Sequence, residues 1–263
     1  MTSKIVKLIE SLGEKTLSTI DGLGRLSQFV FQIFFWSFKK PFRFSLLIDQ
    51  IEFVGNKSIF IVFLTASFTG AVMAYQTYLG FEGLSADSFI GPVVAISLAK
   101  ELGPVFTGLI IAGRCGAAMA AQIGTMKVTE QVDALEVMGI DPRQYLVVPR
   151  VWATVFAMPL LAIIFLLIGN MGSWLIGTQV LRIDEATYLS RVPELFKLKH
   201  VWEGLIKASM FGFFISIIGT YQGFKASGGA EGVGRGTNMA VVWGMVIVLI
   251  FDFFATSVLT RIL

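Results

Sequence analysis

Long uncharged runs alternate with short polar interruptions along this chain. Residues 58–81, 88–99, 102–113, 115–126, 151–181, 208–224 and 236–251 contain no Asp, Glu, Lys or Arg. About 20 apolar residues cross a hydrocarbon core of roughly 30 Å, so the pattern predicts crossings at 58–80, 105–126, 151–180, 205–224 and 237–260. The stretch 88–126 is too long for one perpendicular crossing, since as a continuous helix it would run about 58 Å. Its first half, before Lys100, is too short to span. The reading is therefore one crossing with an added half-helix, broken at Gly103-Pro104.

The polar segments carry their own periodicity. Residues 4–20 set Ile5, Ile9, Leu12 and Ile20 near one helical face, with Lys4, Lys7, Glu10, Glu14 and Lys15 mostly elsewhere, as in a helix lying on a membrane surface. Residues 25–48 are aromatic and then basic, with an apolar centre (29–38) too short to span, which predicts an interfacial or partly inserted elbow. In 127–150, Val128, Gln131/Val132, Leu135 and Met138 recur at helical spacing. A short amphipathic helix over about 128–139 follows, closed by Gly139 and Asp141-Pro142. It either docks in a groove of a soluble partner or lies on lipid. Residues 181–204 read as a polar connection and the glycine-rich 225–236 as a loop.

Composition agrees with a membrane assignment. The 263 residues are 55% hydrophobic and only 15% charged, with a mean hydropathy of +0.75, against about 25% charged in soluble domains. The segments 1–57, 127–150 and 225–236 hold 13 of the 21 Lys and Arg, which places them, and the N-terminus, on the cytoplasmic side. The first apolar run starts late and ends in Lys39-Lys40-Pro41, so no cleaved leader is expected. Cys115 has no partner cysteine and reads as a packing residue, and the lone His200 as a surface residue.

Charge is scarce within the crossings, so each instance asks for a reason. An ionisable group at the centre of a crossing costs about 2.5–3.5 kcal/mol on insertion scales, and usually faces a cavity or a partner. Glu101 beside the expected break either lines a cavity toward the outer side or pairs with Lys100 or Arg114 to lock helices. Arg114, deeper and among small residues, reads as structural, and Asp252 is a second buried acid with the same two readings as Glu101. Ala112, Gly116, Ala120 and Gly124 form a ridge that admits another helix closely, within the chain or at a subunit interface.

Absences narrow the function. No Gly-x-x-x-x-Gly-Lys-Ser/Thr phosphate loop occurs, and Gly228–Gly236 has the wrong spacing for one, so the chain cannot power transport by nucleotide hydrolysis alone. No nucleophile–base set is present. Catalysis, a metal site and a nucleic-acid partner are not expected. An ion-coupled carrier using Glu101 and Asp252, or a membrane scaffold, are rival readings; the first would be favoured by inverted repeats, and no convincing repeat relates the two halves.

The motifs KELGP (100–104), IAGRCGAAMAAQIGTMKVTEQVDALEVMGIDP (111–142), PRVWA (149–153) and EGVGRGT (231–237) make the chain resemble the MlaE/YrbE family, permeases of ABC lipid transporters that work with MCE-domain proteins. The resemblance covers nearly all of 1–263 as one permease domain, with an interfacial and elbow segment (1–57) and a bundle (58–263). It implies an all-α inner-membrane protein with five crossings, paired with a second copy of itself. Two cytoplasmic ABC ATPases that bind ATP and Mg, a periplasmic MCE-domain protein and a small cytoplasmic STAS-domain protein are the implied partners. On this resemblance Glu101 and Lys100 line a lipid cavity with Met73, Gln76, Tyr78 and Leu79. Glu130, Asp133, Leu135, Glu136, Met138 and Gly139 belong to a coupling helix that docks on the ATPase. The implied cargo is phospholipid or a related membrane lipid.

Overall fold

In the computed structural model, which describes residues 2–83 and 86–262, ten helices in chain order account for the architecture. Helix α1 covers Thr2–Ser37, α2 Phe44–Val54 and α3 Ile59–Phe81; α4 covers Asp87–Val128, α5 Gln131–Val137 and α6 Arg143–Val180. The short α7 (Glu185–Leu189) and α8 (Val192–Leu195) precede α9 (Leu198–Phe224) and α10 (Gly229–Ile262). Five segments are long and apolar enough to cross a membrane: α2 with α3, α4, α6, α9 and α10. No strand occurs among the described residues, in keeping with the all-α membrane fold expected.

The two N-terminal pieces form one helix. The amphipathic face read at Ile5, Ile9 and Leu12 lies outside the described side chains; the end of α1 packs on the bundle. Phe29 and Ile33 are buried against Val147, Val151 and Ile217, and Phe29 meets the rings of Tyr221 and Phe224 edge-on at 5.4 and 5.9 Å. Trp152 Nε1 donates to Ser37 Oγ at 3.0 Å. The elbow itself is the turn at 38–43, narrower than the predicted 25–48.

The first span begins earlier than the expected residue 58 because α2 leads into it through a bend at Gly55–Ser58. Arg114 secures that bend. Its Nη1 and Nη2 both donate to the Phe53 carbonyl at 3.1 Å, and Nη1 also reaches Ser58 Oγ at 2.6 Å. A guanidinium at the carboxyl end of a helix meets both the freed carbonyls and the negative end of the dipole. Arg114 thus ties α4 to the bend between α2 and α3, and Cys115 beside it is buried.

Helix α4 corrects one expectation. Gly103-Pro104 does not interrupt it: the backbone stays helical, passing through π turns at Leu98–Leu102 and Ala112–Gly116. A π turn absorbs the proline by shifting the hydrogen-bond register, with Gly103 N–H donating to Leu98 O, where a full break was predicted. All four ridge residues, Ala112, Gly116, Ala120 and Gly124, are buried inside the chain. A methyl on Gly219 of α9 would lie 2.9 Å from Gly116 O, and one on Gly244 of α10 would lie 3.2 Å from Ala112 Cβ. The ridge thus packs α9 and α10 onto α4 and is no subunit interface.

Two further boundaries moved. The predicted amphipathic helix at 128–139 is shorter, because Val128 ends α4 and Glu130 turns the chain at φ 61°. The glycine-rich 225–236 is mostly helix: α10 starts at Gly229, and Arg235 pairs with Glu231 at 2.5 Å one turn apart. Each glycine disfavours a helix by about 1 kcal/mol, but close contacts of Gly232 and Gly236 with the Ser227 and Gln222 backbone favour residues without a side chain there.

Helices α3 and α6 cross where Gly70 faces the Gly169 backbone with no room for a methyl group. Gly70→Val should therefore lower the thermal stability of the purified protein, by about 1–3 kcal/mol as for overpacking in general. Gly80→Ala, with open space around it, should leave stability unchanged or slightly raised. Equal melting of the two variants would contradict the packing described.

Candidate functional site

The site grows out of the proline in α4. Pro104 has no N–H, so the carbonyl four residues earlier, Lys100 O, loses its usual helical donor. That carbonyl accepts instead from Lys207 Nζ of α9 at 3.0 Å. α9 can come this close because Gly204 has no side chain; a methyl there would collide with Ala99 O.

Lys207 has no exposed side-chain surface. An ammonium has three protons to donate, and each finds an acceptor: Lys100 O, Glu101 Oε2 at 2.6 Å and Thr256 Oγ1 at 2.7 Å. Asp252 Oδ1 lies 3.3 Å away as a further ion contact, yet it is a buried oxygen with no hydrogen-bond partner. Thr256 hydroxyl donates to Asp252 O at 2.8 Å, with the Glu101 carboxylate also within 3.3 Å. A second pair runs antiparallel beside the first, Lys100 Nζ to Glu203 Oε2 at 3.2 Å, with Glu203 almost wholly buried. Adjacent residues of α4 thus pair with residues one turn apart on α9, and α10 closes the group.

Of the two readings of Glu101, the pairing partner turns out to be neither Lys100 nor Arg114. The partners are Lys207 and Thr256, which the sequence reading missed together with Glu203. Glu203 was assigned to a polar connection and Lys207 was passed over inside a crossing. A signal was available: Lys100-Glu101 and Glu203…Lys207 are complementary in charge, and Glu203 and Lys207 share one helical face at i, i+4. Although Lys207 is sealed, the Glu101 side chain keeps 36% of its surface open.

The other candidates divide. Met73 and Tyr78 of α3 turn inward and pack on the core cluster, whereas Gln76 and Leu79 face outward. Gly103 and Pro104 are buried. At the opposite end of α4, Lys127 holds Asp133 of α5 at 2.6 Å. Val132 anchors α5 inward; Leu135 is half-buried, and Glu130, Glu136 and Gly139 are exposed. Val137 and Met138, with 89% and 65% of their surfaces exposed, form an apolar tip with no cover from the chain itself. Tyr188 of α7, outside the spans, sets its hydroxyl 2.5 Å from that of Ser173 in α6, and burial pushes its phenol above its ordinary range.

A family model described as Permease MlaE matches residues 47–258, which include the charged group, the ridge and α5. The chain belongs to the MlaE permease family. A Rickettsia bellii protein named as a probable ABC transporter permease is 42% identical over 258 residues, covering 98% of this chain and 100% of that one. The intermembrane phospholipid transport system permease protein MlaE of Haemophilus influenzae is 34% identical over 256 residues, 97% and 98% of the two chains. The chloroplastic protein TRIGALACTOSYLDIACYLGLYCEROL 1 of Arabidopsis thaliana is 37% identical over 210 residues, 80% of this chain and 60% of that one. As an MlaE permease the chain is a non-catalytic transporter subunit within a membrane, and the ATPase is a separate chain.

Breaking a buried ion pair from one side leaves a charge without compensation, at about 3–5 kcal/mol. Lys207→Met, which strands Glu101 and Asp252, should destabilise the purified permease toward the lower end of that range, because Glu101 still reaches solvent. Adding Glu101→Gln and Asp252→Asn to Lys207→Met should recover most of the loss. A triple variant that melts below the single one would show that the charges are not coupled.

Proposed function

We propose that this permease moves phospholipid between the bacterial inner membrane and an MCE-domain channel, working as two copies driven by cytoplasmic ABC ATPases. The observation that carries the reading is the Glu101 carboxylate, held on a sealed lysine yet one-third open, in a member of this family. A carboxylate fixed in that way does not need to be neutralised by its ligand. It can accept hydrogen bonds from a lipid head group while the apolar surfaces around it take the chains.

On this reading Glu101 and Lys100 mark the polar wall of an outward-facing cavity between two copies. Gln76 and Leu79 are the first-span positions open to an amphiphile, and Met73 and Tyr78 shape the wall from behind. The phospholipid named for the Haemophilus influenzae relative supports the cargo. The N-terminus, the elbow and α5 lie on the cytoplasmic side, in line with the Lys and Arg bias. There α5 offers its apolar tip and Glu130, Asp133 and Glu136 to a groove on the ATPase, where ATP and Mg are bound. A periplasmic MCE-domain protein and a small STAS-domain protein complete the assembly. Closure of the ATPases draws the two α5 helices together, and α4, continuous from α5's neighbour Lys127 to Glu101, carries the movement to the cavity.

Two measurements test this. Glu101→Gln should leave assembly with the ATPase intact and lower phospholipid transfer in reconstituted vesicles on the order of tenfold, the equivalent of one charge-assisted hydrogen bond; unchanged transfer would remove Glu101 from the mechanism. Val137→Asp with Met138→Asp should weaken ATPase co-purification by more than tenfold, since burying such side chains stabilises by about 1.5–3 kcal/mol each. Normal ATPase binding by that variant would count against α5 as the docking helix.

A further inference from the structure

A separate groove lies at the elbow, built from α1, α2 and the start of α6, none of which supplies a charge to the Glu101 group. A groove of about 310 Å³ opens between Trp36, Pro41, Phe44, Leu47, Val148 and Trp152. Its lining is mainly apolar, and its volume is near the lower end of small-molecule sites, roughly 300–1,000 Å³, which suits one acyl chain and part of a head group. Two cations, Lys39 and Arg43, stand in its wall.

Those cations are held without being neutralised. Lys39 Nζ lies over the rings of Trp36 and Phe35 at 4.6 and 4.9 Å, and the Arg43 guanidinium lies 4.4 Å over Tyr145. Ring faces orient a cation but leave its N–H donors free. None of the ion pairs among the described residues involves Lys39, Lys40 or Arg43. The start of the turn is tied to α6, by Gln144 Nε2 donating to Lys39 O at 2.7 Å and by the Trp152–Ser37 side-chain hydrogen bond. Two indoles, as commonly found at the depth of lipid head groups, flank the groove.

From this geometry we infer that the elbow groove binds one anionic phospholipid of the surrounding bilayer, its phosphate on Lys39 and Arg43 and an acyl chain along Leu47, Val148 and Trp152. Charge complementarity selects the occupant. An anionic head group gains both cations without penalty, whereas the ammonium of phosphatidylethanolamine is brought beside them. Basic pockets between membrane helices recognise anionic lipids in this way, at a selectivity of about fivefold for each cation that engages. The lipid would clamp α1 to the bundle beside α5.

Trp36 and Trp152 provide the readout. In the full chain with Trp174, Trp202 and Trp243 changed to Phe, fluorescence quenching is compared in vesicles holding brominated phosphatidylglycerol with plain phosphatidylethanolamine, and the reverse pairing. The expected result is a relative affinity about fivefold or more in favour of phosphatidylglycerol, falling to near one in Lys39→Gln/Arg43→Gln. Equal quenching by the two lipids with both cations present means an unselective bilayer contact only, and overturns the inference. So does a preference that survives in the double variant. The first comparison alters neither cation, so it decides the matter whether or not the double variant folds.

Discussion

A fully buried lysine ammonium sets the terms for this molecule. Inside an apolar bundle such a group is stable only if every proton has an acceptor and a negative charge lies close by. Lys207 of α9 meets that requirement with groups from two other helices: the Lys100 carbonyl and Glu101 of α4, and Thr256 and Asp252 of α10. The local features around it follow from the same need. Pro104 releases the carbonyl, the π turn at Leu98–Leu102 keeps the helix running past it, and Gly204 lets α9 approach. Lys207 therefore determines where α4, α9 and α10 meet, and the small-residue ridge along α4 continues that contact toward the other face of the membrane.

The same arrangement leaves one acid partly free. Of the charges in the group, Glu101 alone combines a fixed position with a substantially open surface, while Lys207 and Glu203 are enclosed. A polar point is thereby presented at one end of an apolar bundle without a mobile charge. At the other end of α4, Lys127 holds Asp133 and the exposed tip of α5. One helix joins both ends, and under the function proposed above α4 is the element through which a docked ATPase would act on the Glu101 region.

Much of the fold could be read from periodicity and charge. Five spans and the short helix after residue 128 follow from where apolar runs stop and which charges interrupt them. What could not be read depends on contacts across the bundle. Gly103-Pro104 is by itself a helix-ending pair, and only a lysine from α9 turns its freed carbonyl into a binding point. The ridge Ala112–Gly124 is equally suited to a neighbour within the chain or outside it, until Gly219 and Gly244 are seen against it. Glycines at 228–236 signal a loop locally, yet packing on the preceding turn makes most of them helical. Glu101 stands out in the sequence as a charge that asks for a reason, but its counter-ion lies 106 residues away, in a crossing whose uncharged run starts only at residue 208.

The central claim is that Glu101 is wet and reachable while its immediate partners are sealed. It is tested most directly on the assembled transporter, unaltered in sequence, by labelling carboxylates with a water-soluble carbodiimide and an amine and locating the adducts by peptide mass spectrometry. The account predicts an adduct at Glu101, none at Glu203, and loss of the Glu101 adduct when the assembly is loaded with phospholipid. Glu101 as protected as Glu203 in the lipid-free assembly would contradict it.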